Sequence, residues 1–149
     1  MQNDIVYDIA IIGAGISSCV FASNHIKNGF KGRIAIVENG RNLGGRASTR
    51  FSLCNSGWQL NHGSPNFNIS NSTNNSLLKT FIQELLDAKI IHSDPSDLIE
   101  LCEDPREQKN IISDFHSCDT YTSSSSMSDL SKNILNHNNL KNQVDFFFQ

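Results

Sequence analysis

The chain has 149 residues, 38% of them hydrophobic and 18% charged, with a formal net charge of −3. That length suffices to bury one core, and the composition excludes wholesale disorder. The 12 Lys and Arg do not cluster, which argues against a nucleic-acid groove, and no stretch approaches the ~20 consecutive apolar residues that cross a bilayer.

The N-terminus, MQNDIVYDIAII, lacks the basic flank of a secretion signal. Cys19, Cys54, Cys102 and Cys118 show neither a C-x-x-C pair nor metal-site spacing. They read as thiols of a reducing compartment, so the expected location is cytoplasmic, with no metal.

Ile5, Val6 and Ile9 through Ile12 form a nearly continuous apolar run, which predicts a strand covered on both faces. The period then changes. Ile16, Cys19, Val20, Ser23 and Ile26 fall on one helical stripe, stopped by Asn28-Gly29. A second short buried strand follows over 33–38 and ends at Asn39-Gly40, completing a βαβ unit.

Residues 41–75 are rich in Gly, Ser and Asn, with strand-like pieces near Trp58–Leu60 and Phe67–Ile69 and a polar surface loop over 68–76. Leu77, Leu78, Phe81, Ile82, Leu85 and Leu86 predict a helix with a wide apolar face over 77–88. Residues 90–122 predict irregular structure with one short strand near Leu98–Cys102. Ser123–Ser126 reads as a flexible turn. Ser126 and Asp129 fit a capping box that opens a helix to about Asn136, and Val144–Phe148 is a final strand, third in a parallel set. Three closing phenylalanines on a free strand are an aggregation hazard, which leads to the expectation that more chain should follow.

Two glycines straight after the first strand have a physical use. Gly13 permits a tight turn, and Gly15 lacks a side chain that would keep a pyrophosphate from the helix N-terminus. Ser18 is small enough to stand where a third glycine often packs helix on strand. Glu38, ending the second strand, is placed to accept hydrogen bonds from both hydroxyls of an adenosine ribose and to repel a 2′-phosphate. Gly44-Gly45 lets the backbone pass close to a ligand, and Arg46 offers a forked donor for phosphate or carboxylate. A structural glycine turn and a solvated arginine are the alternatives for each motif taken alone.

GAGISS, VENG and LGGRASTR, in that order, resemble the N-terminus of FAD-dependent amine oxidases and their relatives, including phytoene desaturases and protoporphyrinogen oxidases. Within that group, LGGRASTR followed by WQLNHGSPNF is most similar to renalase-like flavoproteins. The resemblance covers residues 5–67 and is fainter over 77–88 and in SSSMSDLSKNILNH. It implies an α/β, Rossmann-like FAD/NAD(P)-binding domain with a parallel sheet, incomplete at its C-terminus. Residues 1–70 would be the βαβ dinucleotide-binding unit with the GGR and HG loops, and 71–149 a helical insertion with the third parallel strand.

The implied site follows residue by residue. Gly13, Ala14, Gly15 and Ile16 would contact the FAD pyrophosphate and adenosine half. Glu38 would hold the ribose, Gly44 and Gly45 would admit the diphosphate, Arg46 would lie along it, and Gly63 would sit beside the flavin side. Asn61 departs from the relatives' Asp, removing a charge that could order the loop, and Ser64-Pro65-Asn66 departs from their Ala-Gln-Tyr.

The implied activity is FAD-dependent oxidation of a small-molecule substrate, with no catalytic side chain assigned. Relatives are longer and close the FAD site with a C-terminal strand and helix, so a separately encoded C-terminal half is an expected partner. The alternatives are a catalytically silent remnant, a nucleotide-binding subunit needing a partner chain, or an NAD-binding domain. His62 lies in the HG loop, whereas His25, His92, His116 and His137 read as solvated, and Cys19 as core.

Overall fold

A computed structural model describes residues 5–52, 57–94, 118–137 and 142–149. In chain order the elements are β1 (Ile9–Ile12), α1 (Ile16–Lys27), β2 (Ile34–Glu38), β3 (Thr49–Phe51) and β4 (Gln59–Asn61). There follow β5 (Phe67–Ser70), α2 (Ser76–Asp87), β6 (Ile91–Ser93), β7 (Cys118–Ser123), α3 (Met127–His137) and β8 (Val144–Phe148).

β2 is the centre of a parallel sheet ordered β1-β2-β8, with Ile9, Ile34 and Val144 in one row and Ile11, Ile36 and Phe146 in another. These rows face α1 and α3. Ala14, Cys19, Ala22, Ile34, Ile36, Leu135 and Val144 make a buried core there, with Ile9, Ile11 and Phe146 packed against it. The two helices approach closely because Cys19, Ala22 and Ser23 on α1 are small and fully buried, and so is Ser131 on α3. The Ser23 hydroxyl donates to the Ile134 carbonyl across that contact.

The opposite face corrects an expectation. β1 is not covered on both sides: Ile12 is 83% exposed, and Val37 and Phe147, in its row, are exposed as well. Both helices lie on one side, so the apolar run marks a strand whose second face has no cover among the described residues.

The other layers come from the middle of the chain. β3 and β4 form an antiparallel hairpin, and β5, β7 and β6 form an antiparallel sheet with β7 central. Ile82 and Leu85 of α2 pack with Ala47, Ile90, Ile91 and with Met127, Leu130 and Ile134 of α3 in a second core. α3 therefore contributes to both cores, and Ile16 and Val20 of α1 also reach the second.

Several local readings change. β5 bears out the strand-like piece near Phe67–Ile69 and extends it to Ser70, expected in the polar loop, because Phe67 and Ile69 alternate with polar residues at a strand's period. Leu77, expected on the apolar face of α2, is 82% exposed in its first turn. β6 and β7 occupy part of the stretch expected to be irregular. The polar CDTYTS of β7 becomes a strand because it is paired on both edges, by β5 and β6. The strand expected near Leu98–Cys102 lies outside the described residues, as do Cys54 and His116.

The serine run is an ordered junction. Ser123 ends β7, and both it and Ser126 are buried. Asp129 donates its amide to the Ser126 hydroxyl at 3.2 Å and accepts from that hydroxyl at 2.7 Å, the expected cap of α3. His25 is not merely solvated: its ring lies 5.3 Å from that of Phe21 and 4.7 Å from that of Phe30.

Candidate functional site at the glycine loop

Gly13 leaves β1 with φ of 90°, a left-handed torsion that glycine adopts at no steric cost. Its amide donates to the Val37 carbonyl at 2.7 Å, so the turn stays stitched to β2. Gly15 is the N-cap of α1 with an ordinary φ of −73°, and a Cβ built on it meets nothing within 4 Å. Space, not torsion, is what this glycine provides. No side chain caps α1, and its first turn holds no acid. The first helical bond runs from Cys19 N to Gly15 O, so the amides of Ser17 and Ser18 precede any intrahelical partner, at the positive end of the helix dipole. An anion fits there.

Glu38 faces the same loop. One carboxylate oxygen accepts from Ala14 N at 2.7 Å and the other from Gly40 N at 2.6 Å. Those donors, Ala14 foremost and then Gly40, hold the carboxyl below its usual range against a smaller effect of burial. A carboxylate offers about four lone-pair sites, so capacity remains for further donors beside Ala14, Gly40 and the weaker Asn39 amide. Two hydroxyls on neighbouring carbons of a ribose are such donors.

The third wall is the loop at 44–46. Gly44 donates to the Ala14 carbonyl at 2.8 Å and pairs with Gly15 as a parallel bridge. Its φ of 115° and the φ of 58° at Gly45 both favour glycine. A Cβ on Gly44 would lie 2.6 Å from the Ala47 carbonyl oxygen, and one on Gly45 3.4 Å from the Gly15 Cα. Arg46 follows and is exposed. Beneath, Cys19 is fully buried and its thiol donates to the Ala14 carbonyl; burial pushes that thiol up to about 11. It is an inert support.

Gly13, Ala14, Gly15, Glu38, Gly44 and Gly45 are thus brought together from three separate segments. Ile16 joins them through its backbone only, since its side chain packs against the second core. Gly63 lies instead against the Arg46 carbonyl and the Ser48 hydroxyl. His62 is exposed, with its Nε2 3.4 Å from Ser48 Oγ and its amide donating to the Ser48 carbonyl.

Two features escaped the sequence reading. Gly40, read as a strand terminator, is a donor to Glu38; the signal was its place two residues after the acid. Asn61 is not a loss of order. Its Oδ1 accepts from Thr49 Oγ1 and from Met127 N, tying the β3–β4 hairpin to the start of α3. Thr49 and Ser128 complete the tie, each amide donating to the other's hydroxyl at 2.6 and 3.2 Å. These bonds join residues up to 79 positions apart, beyond any local pattern.

An open cleft of about 370 Å³ lies elsewhere, between α2 and the β5–β7 face, with Ile69, Ile82 and Leu86 on its apolar side and Lys79, Asp119 and Tyr121 at its polar side. Burial, then the Asp119 charge, raises the Tyr121 phenol. None of its lining residues belongs to the glycine loop. Among the described residues no helix is long and apolar enough to cross a membrane, and no group of His, Cys, Asp and Glu could hold a metal ion.

A parallel sheet with a glycine turn, an uncapped helix N-terminus and an acid ending the second strand defines a dinucleotide-binding α/β domain. Comparison with known families agrees. Residues 11–85 match the NAD(P)-binding Rossmann-like domain, and the chain belongs to that family. Among solved structures it is similar to THI4 of Thermovibrio ammonificans, at 14% identity and a TM-score of 0.46. That match covers 95% of this chain and 37% of the THI4 chain, so the chain spans well under half the length of that protein. No curated protein matches.

Proposed function

We propose that the glycine loop binds FAD, and that the chain is the FAD-binding N-terminal part of an oxidoreductase of the renalase-like and amine-oxidase-like kind. The observation that carries the reading is the meeting of three segments. The uncapped α1 terminus, the Glu38 carboxylate fixed by Ala14 and Gly40, and the Gly44-Gly45 backbone resting on Gly15 meet at one place. Diphosphate would lie on the α1 amides and the ribose on Glu38, with Arg46 along the outer side. FAD rather than NAD is favoured by the GGR loop and by the resemblance of LGGRASTR and WQLNHGSPNF to renalase-like flavoproteins.

When bound, FAD supplies a hydride acceptor, and a small organic molecule would be the donor. The chain's own residues bind and orient: helix amides and Arg46 neutralise the diphosphate, and Glu38 fixes the adenosine end. The Glu38 charge also disfavours a 2′-phosphate.

One thermal-shift titration tests this. FAD is expected to raise the melting temperature more than NAD, and NADP to give no rise. A larger rise with NAD than with FAD would favour the NAD-binding reading. No rise with either would overturn the proposal for this chain.

A further inference from the structure

The geometry points to Gly63 as a positioning residue for Arg46, acting through the Arg46 peptide; the inference rests on Arg46 meeting the diphosphate. The hairpin ladder does not stop at β3 and β4. His62 N donates to the Ser48 carbonyl at 3.1 Å and Ser64 N to the Arg46 carbonyl at 2.9 Å, so the HG segment runs flush along the GGR loop. Gly63 is the residue that permits this. A Cβ there would fall on the Arg46 carbonyl oxygen and within 2.7 Å of Ser48 Oγ. Its torsion is not left-handed, so the requirement is space alone.

Arg46 is consequently held from both sides. Two residues before it, Gly44 N donates to the Ala14 carbonyl of the glycine loop; across the ladder, Ser64 N donates to the Arg46 carbonyl. The far end of the HG segment is anchored too, since Asn61 and Thr49 tie it to α3. A flexible, exposed arginine makes a useful phosphate donor only if its Cα is fixed, because each degree of freedom must otherwise be lost on binding. Gly63 removes that freedom at the backbone. An alanine would push against a peptide rather than a movable side-chain end, shifting the Cα from which the guanidinium reaches.

The test is a double-mutant cycle on the full chain, with ADP as the probe in calorimetric titrations. Gly63→Ala and Arg46→Ala are each expected to weaken ADP about tenfold, the loss of one charge-assisted contact. The double variant should be no weaker than either single. General damage by Gly63→Ala would instead multiply with the arginine loss, and that result overturns the inference. So does wild-type affinity in Gly63→Ala. If wild type binds ADP but Arg46→Ala loses nothing, the diphosphate role of Arg46 is wrong and the inference falls with it. If wild type does not bind ADP at all, the cofactor reading itself fails. Should Gly63→Ala not fold, hydrogen exchange at the Ser64 amide of the wild-type chain decides. ADP should slow that exchange, and an unchanged rate overturns the inference.

Discussion

Glu38 carries one backbone N–H on each carboxylate oxygen, and those donors hold its pKa below the usual range. The sign of the consequence is fixed. A folded-state pKa lower than the unfolded one stabilises the fold above the ordinary glutamate value of about 4.3, and that contribution is lost as pH falls through the lowered value. Glu38→Gln keeps an oxygen for one amide but turns an N–H₂ group toward the other. The variant should melt lower than wild type near neutral pH, and the gap should close on acidification below about pH 4. Asp145, lowered by the Tyr7 hydroxyl and then by Arg33, titrates in the same sense in both proteins. The difference between the two melting profiles therefore isolates Glu38, and a gap independent of pH would remove it from that role.

Among elements, the junction of the β3–β4 hairpin with α3 rests on Asn61. Its amide oxygen accepts at Met127 N, the first residue of α3, while Ser126 caps the same turn through Asp129 N. Asn61→Ala should cost about 1–2 kcal/mol in denaturant unfolding, the range for a lost helix cap. Asn61→Asp keeps the acceptor and adds a negative charge at the positive end of a helix, so it should gain about 0.3–1 kcal/mol at neutral pH. Equal stability of the alanine variant and wild type would show that the tie holds nothing.

Asn61 also shows where sequence stops being legible. The βαβ unit was readable because each piece announces itself locally: an apolar run, two glycines, a helical stripe, an acid at a strand's end. The same holds for the cap at Ser126 and for β8. The tie at Asn61 depends on partners brought close only by the folded chain, and β7 on strands at both edges. The exposure of the face bearing Ile12 was hidden for another reason. An apolar run reports that burial is favourable, and does not report whether a covering element is present.

For the molecule as a whole, α3 decides whether there is one folding unit or two. Leu135 belongs to the core beneath the parallel sheet, while Met127, Leu130 and Ile134 belong to the core shared with α2 and the antiparallel sheet. α1 straddles the same divide, and the Lys27–Glu84 ion pair adds only an exposed link between α1 and α2. A helix that belongs to both cores cannot leave one without uncovering the other, so unfolding should be a single transition. Leu130 is 2% exposed. Leu130→Ala should cost about 2–5 kcal/mol, with each kcal/mol worth roughly 2–4 °C in a chain of this size. The diagnostic readout is amide exchange at Ile36, in the parallel sheet, and at Tyr121, in the antiparallel one. Leu130 belongs to the second core, yet both amides should lose protection to the same extent. Loss at Tyr121 with Ile36 unaffected would mean that the glycine-loop half folds independently of the rest.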